Sequence, residues 1–308
     1  MKSILKKYIS YPFEAAIAFV FWSFFRILPL SVASAIGGFL ARKIGPLFPV
    51  QHVGQANLRA AFPDWSDAQI KACLHKVWDN LGRSMAEFPH MGKIFKNYVH
   101  KGDRSVVEII GQEHVVAVKN GDRPGIFFSA HIGNWEIMPL AATSTGLKLH
   151  VVYRRPNNPL VNKLFISRGT VSGDLLPKGR EGARAALNKL AAGEHVAMVM
   201  DQKMNDGLQS TLFGMPAMTA PAMVQLALKY GCPVIPACCV RHAGAKFTLE
   251  LEDPIYFEKT GDNRADLQNG VQVMNAYIEK WIRRHPEQWL WFHRRWPKDI
   301  VDTRRPKA

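Results

Sequence analysis

From about residue 125 onward, short apolar runs rich in β-branched residues alternate with longer stretches patterned for helix. That alternation restricts the chain to βαβ units around a mainly parallel sheet flanked by helices. Strands are expected at 126–130, 149–153, 171–176, 195–200, 234–240 and 247–251, and helices at 135–145, 159–168, 181–192 and 220–230, with a longer helix at 265–284. Only residues 241–246 separate the last two strands, which points to an antiparallel edge.

Residues 50–110 read as mixed and helix-rich. Phe62-Pro63 marks a break, and the periodic stretch that runs through Leu81 is expected to be capped by Ser66 or Asp67. No internal repeat or long linker interrupts the 308 residues. They suffice for one large α/β domain, assigned to 46–308, preceded by a helical segment at 1–45.

That N-terminal segment is apolar. Residues 15–25 carry no charge, Arg26 interrupts, and residues 27–41 are again uncharged. Neither run reaches the ~20 residues of a usual membrane-spanning helix. A short or shallow anchor is expected, with a second helical segment signalled by Leu30-Ser31 and Gly37-Gly38, and with Arg42-Lys43 suited to anionic headgroups. A buried hairpin of the globular domain is the alternative. A secretory leader also has some marks here, because Lys2, Lys6 and Lys7 precede the run and Ala33-Ser34-Ala35 resembles a cleavage site. The apolar pattern continues past that site, which argues against cleavage.

Charge narrows the partners. Forty Lys and Arg against 25 Asp and Glu give a formal charge of +15, favouring anionic lipid, an acidic carrier protein or nucleic acid. The apolar N-terminus puts lipid ahead, and nothing resembles an RNA-binding signature or a DNA-reading helix with paired zinc ligands. Cys73, Cys232, Cys238 and Cys239 lack zinc-like spacing, so reduced core thiols are expected, with no metal site and no disulfide framework. Trp281, Trp289, Trp291 and Trp296 lie among arginines, a combination that suits a membrane interface and ordinary packing equally.

In open α/β sheets, ligands bind beyond the carboxyl ends of the strands. The residues that follow the expected strands there are His131, then Arg154 and Arg155, then Lys178 and Arg180, then Asp201 with Gln202. His131 begins the run His-Ile-Gly-Asn-Trp-Glu, which ends at Glu136. Residues five apart on an ideal helix point about 140° away from each other. His131 must therefore precede the helix, with Glu136 in the first turn, from where its carboxylate can fold back toward the ring. A neutral imidazole held this way accepts a proton from a hydroxyl. The plainer alternative is a histidine ending a buried strand and a glutamate favouring a helix N-terminus. The cations, Arg184 included, suit phosphate groups or simply face water. Asp201 suits the orienting of a substrate-binding cation, or a cap after a strand. Phe127, Trp135, Met138 and Phe165 are candidates for an acyl channel or for core.

An ordered set of segments carries a resemblance over nearly the whole chain: Asn57-Leu-Arg-Ala-Ala-Phe-Pro63, Gly82-Arg-Ser-Met-Ala-Glu87, the His131–Glu136 run, Val152-Tyr-Arg-Arg-Pro-Asn-Asn-Pro159, Asp201-Gln202, Phe213-Gly214 and Pro286-Glu-Gln-Trp-Leu-Trp-Phe-His-Arg-Arg-Trp296. It resembles the bacterial late (secondary) acyltransferases of lipid A biosynthesis, of the lauroyl and myristoyl type. The resemblance implies a glycerolipid-acyltransferase-like fold at the inner membrane, with the site on the cytoplasmic side. It implies transfer of an acyl chain from a thioester, on acyl carrier protein or CoA, to a hydroxyl of a lipid A precursor, with no bound cofactor and no acyl-enzyme. By the same resemblance His131 is the general base, Glu136 its partner, Arg168 the family's arginine downstream of the motif, and Asp201 its acidic residue before Gln202. Many members have Asp where this chain has Glu136, a variation that the motif allows.

The residue types fit that chemistry. A lipid hydroxyl is a poor nucleophile, and a base that accepts its proton lowers the barrier by a factor of roughly 10²–10⁴. The tetrahedral intermediate carries an oxyanion that needs donors, for which the candidates are the backbone N–H groups of Gly133 and Asn134, or Arg168. Arg154, Lys178, Asp201 and Gln202 are the substrate-binding candidates. Acyl carrier protein, anionic membrane lipid and the lipid A precursor are the expected partners, without nucleic acid. Two alternatives stand beside this reading: an acyl-CoA-dependent acyltransferase acting on a mannosyl phospholipid, and a non-enzymatic basic binder whose activity survives loss of His131.

Overall fold

The computed structural model describes residues 6–167 and 170–303. Helix α1 spans Tyr11–Ile27 and α2 spans Leu30–Ile44. The break between them falls at Leu28-Pro29, whose backbone is extended, because a proline drives the residue before it out of the helical region. Helix α3 (Val50–Ala61) follows, then α4 (Asp67–Glu87), which starts at a capping box in which Ser66 and Gln69 each satisfy the other's backbone.

The second helical segment signalled by Leu30-Ser31 and Gly37-Gly38 is α2. The two glycines sit inside it and let it press against α4: a Cβ on Gly37 would lie 2.4 Å from the Gly82 carbonyl oxygen, and one on Gly82 would lie 2.3 Å from that of Gly37. Helix α2 is thus packed into the body of the protein. Helix α1 touches the body along one side, with Trp22 against Phe88 and Arg26 on the Pro89 carbonyl, but only Phe25 among its residues is buried while Phe13, Ile17, Phe19, Val20, Phe24 and Ile27 are exposed. The apolar helix at Tyr8–Ile27 is 20 residues long, enough by length and composition to cross a bilayer.

After α5 (Met91–Lys101) come β1 (Val107–Ile110), α6 (Gln112–Asn120), β2 (Ile126–Ser129), α7 (Leu140–Thr145) and β3 (Leu149–Tyr153). Next are α8 (Pro159–Ile166), β4 (Leu175–Pro177), α9 (Arg180–Ala191) and β5 (His195–Val199). The chain closes with β6 (Leu208–Leu212), β7 (Met215–Thr219), α10 (Ala222–Tyr230), β8 (Val234–Arg241), β9 (Phe247–Leu251), α11 (Asn263–Arg284) and α12 (Lys298–Thr303).

The main sheet has the order β1-β9-β8-β2-β5-β3-β4 and is parallel from β8 through β4. Strands β8 and β9 pair antiparallel, as their short connection requires. They do not form the edge, however, because β1 adds to β9 in parallel. At four residues β1 is too short to show a period of its own, and it lies in the region read as helix-rich. Three other differences are local. The helix expected at 135–145 is a single 3-10 turn at Trp135–Ile137 followed by α7, with Pro139 at the junction. Strand β4 occupies only 175–177 instead of 171–176. The hairpin β6–β7 stands apart from the main sheet. It turns through Phe213-Gly214, both at positive φ, the backbone that tight hairpins favour.

Trp281, Trp289, Trp291 and Trp296 are all buried in the core, so the choice between membrane interface and packing falls to packing. Arg295 is buried with them and donates to the Met218 carbonyl at 2.9 Å and to Thr219 Oγ1 at 2.7 Å. The four cysteines are buried too. Burial pushes the thiols of Cys73 and Cys239 up to about 12, which leaves them protonated at neutral pH.

Candidate active site

Strands β2 and β5 are neighbours, with Ser129 opposite Val199. Two residues beyond each of these lie His131 and Asp201. The His131 backbone N–H donates to Asp201 Oδ2 at 2.9 Å, and the ring Nδ1 lies 2.7 Å from Oδ1. An ionised carboxylate only accepts, so Nδ1 carries the proton and Nε2 the lone pair. Trp289 Nε1 donates to Asp201 Oδ2 at 2.7 Å, giving the buried carboxylate three donors. Burial favours a protonated Asp201, but the charge and hydrogen bonds of His131 outweigh it and hold the carboxyl below its ordinary range. Burial likewise favours a neutral His131. There the charge and hydrogen bond of Asp201, helped by the charge of Glu136, outweigh it and raise the imidazole above its ordinary value.

The carboxylate that holds Nδ1 is therefore Asp201, 70 residues along the chain, where the sequence assigned that place to Glu136. Glu136 sits in the 3-10 turn with its backbone N–H bonded to Asn134 Oδ1 and lines the same cavity as the ring. From there its charge adds to that of Asp201 in raising the imidazole.

The cavity has a volume of about 200 Å³. Trp135, Met138 and Phe165 contribute apolar wall, and Arg154, Lys178 and Gln202 contribute polar wall. Lys178 Nζ donates to Gln202 Oε1 at 3.4 Å. Phe127 is buried core and does not line it. Neither do Arg155, Arg180 and Arg184, which are exposed. Arg168 lies outside the described residues.

Of the two amides proposed as oxyanion donors, that of Gly133 is turned inward, donating to the Gln288 carbonyl at 3.1 Å. Gly133 adopts φ +57°, and a Cβ there would lie 2.0 Å from the Cys239 carbonyl oxygen. The glycine thus serves close approach to β8, not to a substrate.

A buried polar cluster carries the His131 loop. Asn80 Nδ2 and Ser84 Oγ donate to the Gly133 carbonyl at 3.0 and 3.2 Å. Asn134 Nδ2 donates to Glu87 Oε2 at 2.8 Å. Glu87 in turn is paired with Arg241, whose guanidinium also donates to Asn80 Oδ1 and Ser84 Oγ. Gln288 exchanges hydrogen bonds with the Arg241 backbone, and Leu290 N–H donates to the His131 carbonyl. Asn80, Ser84, Glu87, Arg241 and Gln288 were not singled out for a role from the sequence, although Ser84, Glu87 and Gln288 fall within the segments that carry the family resemblance. Arg241 ends β8, the same strand end that yields the other site residues.

An imidazole backed by a buried carboxylate, at the carboxyl end of a parallel sheet and opening on a cavity, is the arrangement of an acid–base enzyme. The chain belongs to the bacterial lipid A biosynthesis acyltransferase family, whose sequence model matches residues 4–298. It is an acyltransferase of lipid A biosynthesis. A lipid A biosynthesis acyltransferase of Haemophilus influenzae is 22% identical over 240 residues, covering 77% of this chain and 72% of that protein. A lipid A biosynthesis lauroyltransferase of Escherichia coli is 26% identical over 251 residues, covering 78% and 76%. Among solved structures, the 1-acyl-sn-glycerophosphate acyltransferase PlsC of Thermotoga maritima aligns with a TM-score of 0.34 at 17% identity, over 77% of this chain and 98% of that one.

Proposed function

We propose that the enzyme moves a fatty acyl chain from acyl carrier protein to a hydroxyl of a lipid A precursor in one direct step, with His131 as the general base. The observation that carries this reading is the Nδ1 contact with buried Asp201. It fixes the tautomer that leaves Nε2 basic and stabilises the imidazolium formed when the hydroxyl gives up its proton. The substrate oxygen bonds to the thioester carbon, the C–S bond breaks, and the imidazolium returns its proton to the departing thiolate. No protein nucleophile is needed, and the thiols of Cys73 and Cys239 are held protonated. Arg154 and Lys178 on the cavity wall suit phosphates of the lipid headgroup or of the phosphopantetheine arm. With the Gly133 amide engaged by the Gln288 carbonyl, the Asn134 amide and Arg168 remain the oxyanion candidates. Glu136 adds negative charge beside the ring.

The exposed apolar face of α1 supports attachment to the inner membrane with the cavity on the cytoplasmic side, where thioester donors are made. Mass spectrometry of a lipid A precursor incubated with the enzyme and either acyl carrier protein or CoA, each charged with the same chain, tests the reading. The proposal requires one added acyl mass with the carrier protein. Addition with CoA alone contradicts the donor assignment, and addition with neither contradicts the reaction.

A further inference from the structure

A second cavity, of about 670 Å³, lies under the α1–α2 turn and shares no lining residue with the catalytic one. It is more than three times as large, and its volume falls within the roughly 300–1,000 Å³ of small-molecule sites. Ile27, Leu28, Leu30, Ile94 and Val106 give it an apolar lining, with the buried Tyr98 among them. His90 also lines it, and burial holds that imidazole below its ordinary value, so it adds no charge at neutral pH.

Charge is confined to a few positions. Arg26 and Lys93 supply two cations and Asp103 one anion, the latter held by the Ser105 N–H at 2.9 Å. The surroundings are more basic than that ratio. Helix α5 contains Lys93, Lys96 and Lys101 and no acidic residue, and Arg104 follows it, stacked on the Tyr98 ring. The cavity is also continuous with the exposed apolar face of α1, which ends at Ile27, 80% exposed and itself part of the lining. An apolar chamber with cations on its wall, reached from an apolar helix face, has the chemistry of an amphiphile site with a negative head.

We propose that this cavity binds one anionic phospholipid, with an acyl chain against the apolar lining and the phosphate at Arg26 and Lys93. The site is separate from the catalytic cavity and does not depend on the acyl donor or acceptor. Its occupant ties the α1–α2 turn to α5 from within the bilayer surface.

Native mass spectrometry of the full-length enzyme in a non-ionic detergent, titrated with phosphatidylglycerol or with phosphatidylcholine of the same chains, tests this. One phosphatidylglycerol per chain is expected, retained at least about tenfold more strongly than phosphatidylcholine. Lys93→Glu, alone and with Arg26→Glu, should cut that retention about tenfold or more, and Asn97→Trp, at another residue of the lining, should weaken it by occupying part of the chamber. Arg26 also donates to the Pro89 carbonyl, so the single Lys93 variant and the headgroup comparison on the unaltered enzyme guard against misfolding. Glycerol phosphate, which has a head and no chain, should not compete. His131→Ala and Asp201→Asn should retain phosphatidylglycerol fully, which separates this site from the catalytic cavity. Equal retention of the two lipids, insensitivity to Lys93→Glu, or loss of the lipid in His131→Ala overturns the proposal.

Discussion

His131 and Asp201 stand opposite each other two residues beyond Ser129 and Val199, a register pair of neighbouring parallel strands, and their side chains meet at 2.7 Å. The sheet register alone thus sets imidazole against carboxylate. A one-residue slip of β5 would turn the carboxylate to the other face of the sheet.

Asp201→Asn removes the charge that raises the His131 pKa. The acidic limb of the kcat/KM profile, where the base becomes protonated as pH falls, should move to lower pH. The rate at the optimum should fall by a factor of roughly 10²–10⁴, the usual contribution of a positioned base. Initial rates across pH measure both. An unmoved limb counts against the pairing.

Glu136→Gln should move the same limb in the same direction but by less, because its charge ranks behind both contributions of Asp201 in raising His131. A larger displacement than that of Asp201→Asn would return the orienting role to Glu136.

The pair also shapes stability. His131 is raised in the fold, so its contribution is full below the ordinary imidazole value of 6.5 and is lost as pH rises through the elevated one. Asp201 is depressed, so its contribution is present above 3.8 and is lost as pH falls through the lowered value. The difference in urea-unfolding free energy between the unaltered enzyme and Asp201→Asn should be greatest between 3.8 and 6.5. A difference that grows steadily above that window would contradict this coupling.

Glu87→Gln leaves Arg241 buried without its counter-charge. Breaking such a pair costs about 3–5 kcal/mol, readable as a lowered urea midpoint. In the double variant Glu87→Met with Arg241→Met, much of that loss should be recovered because no lone charge remains. Its kcat should stay low, since Asn134 Nδ2 loses its acceptor and the His131 loop loses its support. Recovery of both stability and kcat would mean that the pair does not position the loop.

Arg154→Ala and Lys178→Ala alter the cavity wall and leave the His131–Asp201 contact in place. Each should raise KM several-fold with a smaller change in kcat, the pattern of lost ground-state binding. A fall in kcat alone would point to a role in the chemical step.

Much of this architecture is legible in the sequence because strand and helix periods differ. The runs at 126–130, 195–200 and 234–240 become the central strands, and the residues after them become the site. The choice of partner for His131 was not legible. Glu136 is near in sequence and Asp201 is near only through the register of β2 on β5, a non-local fact. The same holds for Glu87 and Arg241, 154 residues apart, which carry no local signal of each other and meet only when α4 packs against the end of β8. Gly133 and Asn134 were read as donors because their amides stand at a helix start, yet the 286–291 segment runs close enough to claim that of Gly133. Strand β1 escaped because four residues give no period, and the hairpin at Phe213 because its turn places a phenylalanine where glycine or asparagine is usual.

The most direct test of the central claim is a single-turnover measurement of acyl transfer from acyl carrier protein to the lipid A precursor, comparing the enzyme with His131→Ala after both are shown to fold and to bind the precursor. If His131 is the base held by Asp201, the rate constant falls by roughly 10²–10⁴ while precursor binding is unchanged. Equal rate constants in the two proteins would contradict it.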